Sequence, residues 1–183
     1  MKKILLLLTC ALCIVHCVLA QSAMGSWTTH ISYTNVNEIT QSKEKIYGIS
    51  AGALFSIDKQ NAIIETYSKI YGLNDNNIQF IKYSDENNIL FIAYKNSNID
   101  LLYEDGRVAN IPDLYRKNMS GSKKVNDICF FENTAYLACD FGITSLDLSK
   151  KEFKETYITE SDNNDEKILN EWNRICIYLL LRM

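Results

Sequence analysis

The sequence predicts an all-β protein, a partial β-propeller of about three four-stranded antiparallel blades plus an N-terminal closing strand. The first observation behind this prediction is an internal repeat. The segment Ile46–Asp58 contains an apolar run, a glycine turn and a second apolar run, and it recurs at Ile89–Leu102 and Ala135–Leu148. An internal repeat of this kind indicates that the fold is built from several copies of one structural unit.

The second observation is the spacing of the repeats. The units that contain them begin at Val36, Ile78 and Val125, so successive starts are 42 and 47 residues apart. A period of about 40–50 residues with four short strands per copy is typical of propeller blades. The alternative is an ordinary β-sandwich whose hairpins resemble one another.

The first unit, residues 36–77, divides into four short strands separated by turn residues, which is the pattern of an antiparallel meander. The predicted strands are Val36–Ile39, Ile46–Ser50, Ala53–Ile57 and Ile63–Tyr67. Gly52 lies in the central hairpin, where a tight turn requires a positive φ that glycine adopts without steric cost.

The second and third units repeat this pattern over residues 78–124 and 125–159. The second unit has predicted strands Ile78–Ile81, Ile89–Tyr94, Ile99–Tyr103 and Val108–Ile111, and a looser connection, Asp113–Lys124, follows Pro112. The third has Val125–Ile128, Ala135–Cys139, Ile143–Leu148 and a closing Glu155–Tyr157. Its ends echo the first unit, since Val125–Ile128 resembles Val36–Ile39 and Glu155–Tyr157 repeats Glu65–Tyr67.

Residues 1–20 have the pattern of a secretory signal peptide. Lys2 and Lys3 precede an apolar run, and Val18 and Ala20 are small residues at the −3 and −1 positions before Gln21. We therefore expect cleavage after Ala20 and an exported protein. The alternative is an uncleaved membrane anchor, although the apolar run is shorter than the roughly 20 residues that span a bilayer.

Two further segments lie outside the repeats. Gly25–Tyr33 alternates polar and aromatic residues, and we expect it to supply the outer strand of a last blade from the N-terminus. Residues 160–183 repeat none of the blade pattern, and we expect them to be the product of truncation or a shifted reading frame. The alternative is a short helix that covers the open edge of the sheet. A closed propeller typically has 4–8 blades, so we expect residues 21–159 to be the opening part of a longer protein.

Charge and cysteine content argue against a nucleic-acid-binding protein and against a domain held together by disulfides. Removing Lys2 and Lys3 leaves 17 basic against 22 acidic residues, a net charge of −5, which disfavours nucleic acid as a partner. The predicted mature chain keeps Cys129, Cys139 and Cys176, an odd number that predicts no disulfide framework.

No catalytic, cofactor or metal residue is predicted. His30 is the one histidine after cleavage, and its sequence neighbours offer no catalytic constellation. Cys129 and Cys139 lie on one predicted hairpin and could approach each other, although two buried core residues are the favoured interpretation. Asn74–Asn77 and Asp162–Glu166 offer oxygen ligands without the spacing of a calcium loop, so solvated loops are the favoured interpretation. Asn118-Met119-Ser120 matches a glycosylation acceptor, a common chance occurrence.

Several segments together resemble the N-terminal β-propeller of PorZ-like proteins of the type IX secretion system of Bacteroidetes. The segments are Trp27–Tyr33, Ile46–Ile57, Tyr71–Asp75, Ala93–Leu102 and Ala135–Asp147. The similarity extends over about residues 25–159, and Ala93–Leu102, AYKNSNIDLL, is its most distinctive part.

The resemblance implies a non-catalytic role in a cell-surface attachment complex. Its expected partners are a sortase-type protease and outer-membrane barrel proteins, with anionic lipopolysaccharide as a further ligand to which secreted cargo is attached. It also implies a periplasmic or outer-membrane-associated location. The alternative function is the periplasmic ligand-sensing propeller of a hybrid two-component regulator, whose blades have similar glycine turns.

Overall fold

The computed structural model describes residues 35–158, which form three four-stranded antiparallel sheets. Blade 1 consists of β1 (Val36–Gln41), β2 (Lys45–Ser50), β3 (Ala53–Asp58) and β4 (Ile64–Tyr67). Blade 2 consists of β5 (Ile78–Ser84), β6 (Ile89–Tyr94), β7 (Ile99–Tyr103) and β8 (Val108–Ile111). Blade 3 consists of β9 (Val125–Phe131), β10 (Thr134–Cys139), β11 (Gly142–Asp147) and β12 (Glu152–Ile158).

Each blade is a simple meander in which consecutive strands pair. The first strand of blade 2, β5, also contacts β1 and β9, so the first strands of the three blades lie next to one another. This arrangement confirms the predicted fold class, a partial propeller of four-stranded antiparallel blades.

Two hydrophobic cores hold the blades together, because both faces of blade 2 are covered. The face of a blade that packs on the preceding blade is here called its leading face, and the opposite one its trailing face. The core between blades 1 and 2 includes Tyr47 and Leu54 from blade 1 and Ile81 and Ile92 from blade 2. The other core joins the trailing face of blade 2, including Phe91, to the leading face of blade 3.

The repeat allows the same position to be compared in all three blades. Ile39, Ile81 and Ile128 are equivalent, because they pair with Gly48, Ile92 and Leu137 at corresponding places in the register. Ile81 and Ile128 are 1% and 0% exposed, whereas Ile39 is 67% exposed. The leading face of blade 1 therefore carries the apolar pattern of a packed blade and presents it to solvent at this position.

The partner of Ile39 in blade 1 is a glycine, whereas the equivalent partners in blades 2 and 3 are large apolar residues. Gly48 corresponds to Ile92 and Leu137, and it pairs with Phe55 across the β2–β3 hairpin. A Cβ atom on Gly48 would lie 2.6 Å from Phe55 Cζ, so the ring occupies the space that a side chain would need. Phe55 itself is only 5% exposed.

The strand predictions agree with the structure, with extensions at β5, β9 and β12, which begin or end a few residues beyond the predicted bounds. Two short elements were not predicted. A 3₁₀ turn at Lys69–Tyr71 ends at Gly72, which has a φ of 101°. A short helix, α1 (Asp113–Arg116), lies within the connection predicted to be loose. It follows Pro112, whose fixed φ suits the start of a helix, and it buries Leu114.

The predicted signal peptide, the closing strand at Gly25–Tyr33 and the tail at residues 160–183 lie outside the described residues. Within residues 35–158, no helix has the length and apolar character needed to cross a lipid bilayer.

Candidate functional site

A buried carboxylate organises the side of blade 2 where its central hairpin meets the connection from blade 1. Asp100, on β7, is 0% exposed. It accepts hydrogen bonds from the Asn74 backbone N (2.8 Å) and side-chain Nδ2 (3.0 Å). It also accepts from Asn110 Nδ2 at 2.8 Å and from the Tyr94 hydroxyl at 2.6 Å. The network joins three strands of blade 2 to the connection between blades 1 and 2.

The network also anchors the segment Asn74–Asn77 to blade 2. Asn74 is tied to Asp100, and Asp75 accepts hydrogen bonds from Asn96 Nδ2 and from the Asn76 backbone N. Asn74, Asn76 and Asn77 are exposed, so the segment is a solvated loop that is anchored to blade 2 through Asn74 and Asp75. Among residues 35–158, no group of three or more His, Cys, Asp or Glu side chains is arranged to hold a metal ion.

A small polar cavity of about 150 Å³ lies between the outer parts of blades 1 and 2. Its walls include Lys45, Tyr47, Glu65, Tyr67 and Glu104. Lys45 Nζ forms a 2.5 Å ion pair with Glu65 Oε2, and the Tyr67 hydroxyl donates to the same oxygen at 3.1 Å. The polar groups of this cavity are therefore largely engaged with one another.

The electrostatics of this cavity follow from burial and from the ion pair. Burial raises the pKa of Tyr47 to about 12, with Tyr67 as a further contribution. The hydrogen bond from Lys45 lowers the pKa of Glu65. Both groups therefore keep their ordinary charge states near neutral pH, and neither is poised for proton transfer.

Positive charge is concentrated in one stretch, the basic loop, defined as Asp113–Lys124. It carries Arg116, Lys117, Lys123 and Lys124 against the single acid Asp113. Lys123 is already hydrogen-bonded, because its Nζ donates to the carbonyl oxygens of Tyr115 (2.8 Å) and Lys117 (2.9 Å). None of the four ion pairs within the described residues involves Arg116, Lys117 or Lys124.

A larger cavity, the helix cavity, lies between α1 and blade 3 and has a volume of about 370 Å³. Its walls include the apolar side chains Leu114, Phe141 and Phe153 and the hydroxyls of Thr144 and Thr156. Arg116 and Lys117 also line it. Small-molecule sites in proteins are commonly of about this size, with apolar walls and a few polar groups.

Sequence reasoning missed both the Asp100 network and the helix cavity. Asp100 carried a detectable signal, because it is a charged residue between Ile99 and Leu101 in an apolar strand. A lone charge inside an apolar strand indicates a buried polar network. The helix cavity had no comparable signal, because its walls come from α1 and from blade 3, which are separated in sequence.

The two candidate thiols lie on opposite faces of blade 3. Cys139 belongs to the core with blade 2, and Cys129 packs on the other face with Ala138 and Ile143. Both are free cysteines, and Cys139 is buried as expected, whereas Cys129 is only partly buried, so the interpretation as two buried core residues is correct for Cys139 alone. Asn118, of the glycosylation acceptor, is exposed in the basic loop. His30 and Asp162–Glu166 lie outside the described residues.

Comparison with known proteins identifies the fold and the family. Among solved structures, PorZ of Porphyromonas gingivalis is 31% identical with a TM-score of 0.68, and the match covers 73% of this chain and 18% of that one. That protein is described as an essential bacterial surface component of the type IX secretion system. The present chain therefore spans less than a fifth of the PorZ chain.

Two more distant structures share the fold alone. The extracellular domain of the hybrid two-component system BT4673 from B. thetaiotaomicron is 13% identical, with a TM-score of 0.57 over 76% of this chain and 18% of that one. AztD from Citrobacter koseri is 14% identical, with a TM-score of 0.51 over 69% and 34% of the two chains. Among curated proteins, none matches the chain with statistical significance.

A family model also matches, that of the N-terminal β-propeller domain of the type IX secretion protein PorZ. It spans residues 46–179, well over half of the chain. Together with the three blades and the 31% identity to PorZ, this match shows that the chain belongs to the family of PorZ N-terminal β-propeller domains.

Proposed function

We propose that the chain is a non-catalytic propeller segment of a surface component of a type IX secretion system. The observation that carries the proposal is the match to PorZ, at 31% identity over 73% of this chain. The chain would be exported and would work at the periplasmic or outer-membrane surface. Its partners there would be a sortase-type protease and outer-membrane barrel proteins of the attachment complex.

Within this role, we propose that the segment assists the attachment of secreted cargo to anionic lipopolysaccharide. The basic loop supports this part of the proposal. Arg116, Lys117 and Lys124 are exposed, and they take part in none of the ion pairs within residues 35–158. A cluster of positive charge on an otherwise acidic chain attracts polyanions over distances of about a Debye length.

Deleting the gene from its own bacterium tests the secretion role. We expect cargo proteins to appear in the medium without attached lipopolysaccharide, and expression of the full chain from a plasmid to restore surface attachment. A matched strain that expresses the chain with Arg116→Glu and Lys117→Glu tests the basic loop. Normal cargo attachment in the deletion strain would contradict the proposal.

The alternative is the ligand-sensing propeller of a hybrid two-component regulator. The likeness to the BT4673 extracellular domain is compatible with it, but at 13% identity that likeness concerns the fold. Transcript profiling of the deletion strain separates the two functions. A sensor predicts a changed set of regulated transcripts with normal cargo attachment, and a secretion component predicts the reverse.

A further inference from the structure

We propose that the helix cavity is a binding site for a small organic acid whose body is a flat apolar ring. The proposal goes beyond the secretion role, because it concerns a small ligand in the helix cavity rather than a polyanion on the surface of the basic loop, although both would use Arg116. It rests on three features of the site, namely its apolar walls, its hydroxyl groups that are already hydrogen-bonded, and two basic side chains that form no ion pair within residues 35–158.

The apolar walls come from two sides. Leu114, on α1, is 3% exposed and belongs to the core between blades 2 and 3. Phe141 and Phe153, from blade 3, are partly buried and pack against the same core. Aromatic walls favour a flat ring, which can stack on or contact them edge to face.

The hydroxyl groups in the cavity are already used. Thr144 Oγ1 donates to the Glu155 carbonyl oxygen at 3.0 Å and lies 3.1 Å from Thr156 Oγ1. Because Thr144 is 2% exposed and its hydroxyl is satisfied, this wall offers little polarity to a ligand. A sugar, whose hydroxyls need several partners, is therefore a poorer fit than an apolar ring.

The positive charge comes from Arg116 and Lys117. Both line the cavity and both are exposed, and no ion pair within residues 35–158 uses either of them. The acid Asp113 also lines the cavity, which leaves a net charge of +1 among its lining residues. A guanidinium group binds a carboxylate through two parallel hydrogen bonds, so Arg116 is the expected anchor for the acidic group.

The volume of the helix cavity limits the size of the ligand that could bind there. A cavity of about 370 Å³ is near the lower end of small-molecule sites, which favours a compact ligand such as a one- or two-ring carboxylate. Indole-3-acetate has this size and chemistry, and indole-3-acetamide is an uncharged molecule of nearly the same shape. The pair separates the contribution of the charge from that of the ring.

Isothermal titration calorimetry of the purified chain with these two probes tests the proposal. We expect indole-3-acetate to bind at least tenfold more tightly than the amide. Arg116→Glu should weaken binding of the acid at least tenfold and leave the amide unchanged, whereas Arg116→Lys should retain part of the affinity. Lys43→Glu, at an exposed lysine of blade 1, is the control and should change neither.

A cavity-filling variant distinguishes this site from the proposed lipopolysaccharide surface. Thr156→Tyr should abolish binding of both probes while leaving the charge of the basic loop intact, so lipopolysaccharide binding should persist. Because this variant could fail to fold, methyl NMR spectra of the unsubstituted chain provide a second measurement. Indole-3-acetate should shift the signals of Leu114 and Thr144 and leave that of Leu54, in blade 1, unchanged.

Three results would overturn the proposal. They are equal affinity for the acid and the amide, binding of the acid that survives Arg116→Glu, and the absence of binding or of methyl shifts at millimolar probe concentration. Equal affinity would reduce the site to an apolar crevice. None of these results bears on cargo attachment, so the secretion role would stand or fall separately.

Discussion

The Tyr94 hydroxyl donates a 2.6 Å hydrogen bond to Asp100 Oδ2, and both residues are at most 1% exposed. The bond joins β6 to β7 in the interior of blade 2. It belongs to the same network that anchors Asn74, so the buried charge also holds the connection from blade 1 in place. Burial and the bond to Asp100 both raise the pKa of Tyr94 far above its ordinary value, which keeps its hydroxyl a donor.

Removing the acceptor should destabilise the protein strongly. Asp100→Ala would leave the Tyr94 hydroxyl buried without its acceptor and would remove the two hydrogen bonds that anchor Asn74, whereas Asn110 Nδ2 keeps its bonds to Asn98 Oδ1 and the Ile99 carbonyl oxygen. A buried unsatisfied group costs about 1–3 kcal/mol and a lost hydrogen bond about 1 kcal/mol, so we expect a total loss of roughly 2–4 kcal/mol in the free energy of unfolding. Urea denaturation followed by circular dichroism measures the loss. Asp85→Ala, at an exposed turn residue, is the control and should cost less than about 1 kcal/mol. Equal losses in the two variants would contradict the account of the network.

The equivalent isoleucines of blades 1 and 2 should differ sharply in their contributions. Ile81→Ala removes a side chain that is 1% exposed, and we expect a loss of roughly 2–5 kcal/mol. Ile39→Ala alters the same register position where the side chain is 67% exposed, and the expected loss is below about 1 kcal/mol. The same denaturation measurement compares them. Similar losses would mean that the leading face of blade 1 is as well packed as that of blade 2.

The two cysteines of blade 3 should react at different rates. Burial raises the pKa of the Cys139 thiol to about 12, with the nearby Asp140 carboxylate as a further cause. Because the thiolate is the reactive form, N-ethylmaleimide at pH 8 should modify Cys139 at least tenfold more slowly than the partly exposed Cys129. Mass spectrometry of peptides after timed labelling measures both rates. Labelling in urea is the control, since the difference should disappear in the unfolded chain.

Acid should lower the stability of the folded protein, partly because Asp147 becomes protonated. Its carboxylate accepts hydrogen bonds from Ser149 Oγ at 2.6 Å and the Lys150 backbone N at 3.0 Å, and it pairs with Lys154 Nζ at 2.8 Å. The hydrogen bond from Lys154 is the main cause of a strongly lowered pKa, followed by that from Ser149.

A carboxylate whose pKa is lower in the folded state stabilises the fold above its unfolded pKa, and this contribution is lost as pH falls through the folded value. Asp147→Asn should therefore be less stable than the native chain above about pH 4, and the difference should shrink toward pH 2. Urea midpoints at pH 2, 4 and 6 measure this. A difference that stays constant with pH would contradict the assigned role of the charge. Glu152→Gln, at an exposed position near Lys154, is the control.

The repeat pattern predicted the blades well, because strand and turn signals are local and the period fixes their order. Ile39 and Ile81 show where local signals fail. Their sequence contexts are similar, and their exposures of 67% and 1% differ because only one of them faces a neighbouring blade within the described residues. Sequence predicts that a face is apolar, but its burial depends on what packs against it.

The candidate sites were harder to predict for the same reason. The walls of the helix cavity come from α1, Phe141 and β12, which are brought together only by the packing of blades 2 and 3. The anchoring of the Asn74–Asn77 loop was not predicted because its partner, Asp100, lies 26 residues further along the chain than Asn74. Contacts of this range leave no periodic signal in the sequence.

Binding of anionic lipopolysaccharide to the purified chain most directly tests the proposed role in cargo attachment. The measurement compares lipopolysaccharide that carries acidic groups in its polysaccharide with a preparation that lacks them, at low and at physiological salt. We predict salt-dependent binding of the acidic form that is at least tenfold weaker in the Arg116→Glu, Lys117→Glu variant and unchanged in the control variant Lys43→Glu, Lys150→Glu. Equal binding of the two preparations, or no binding of either, would contradict the proposal.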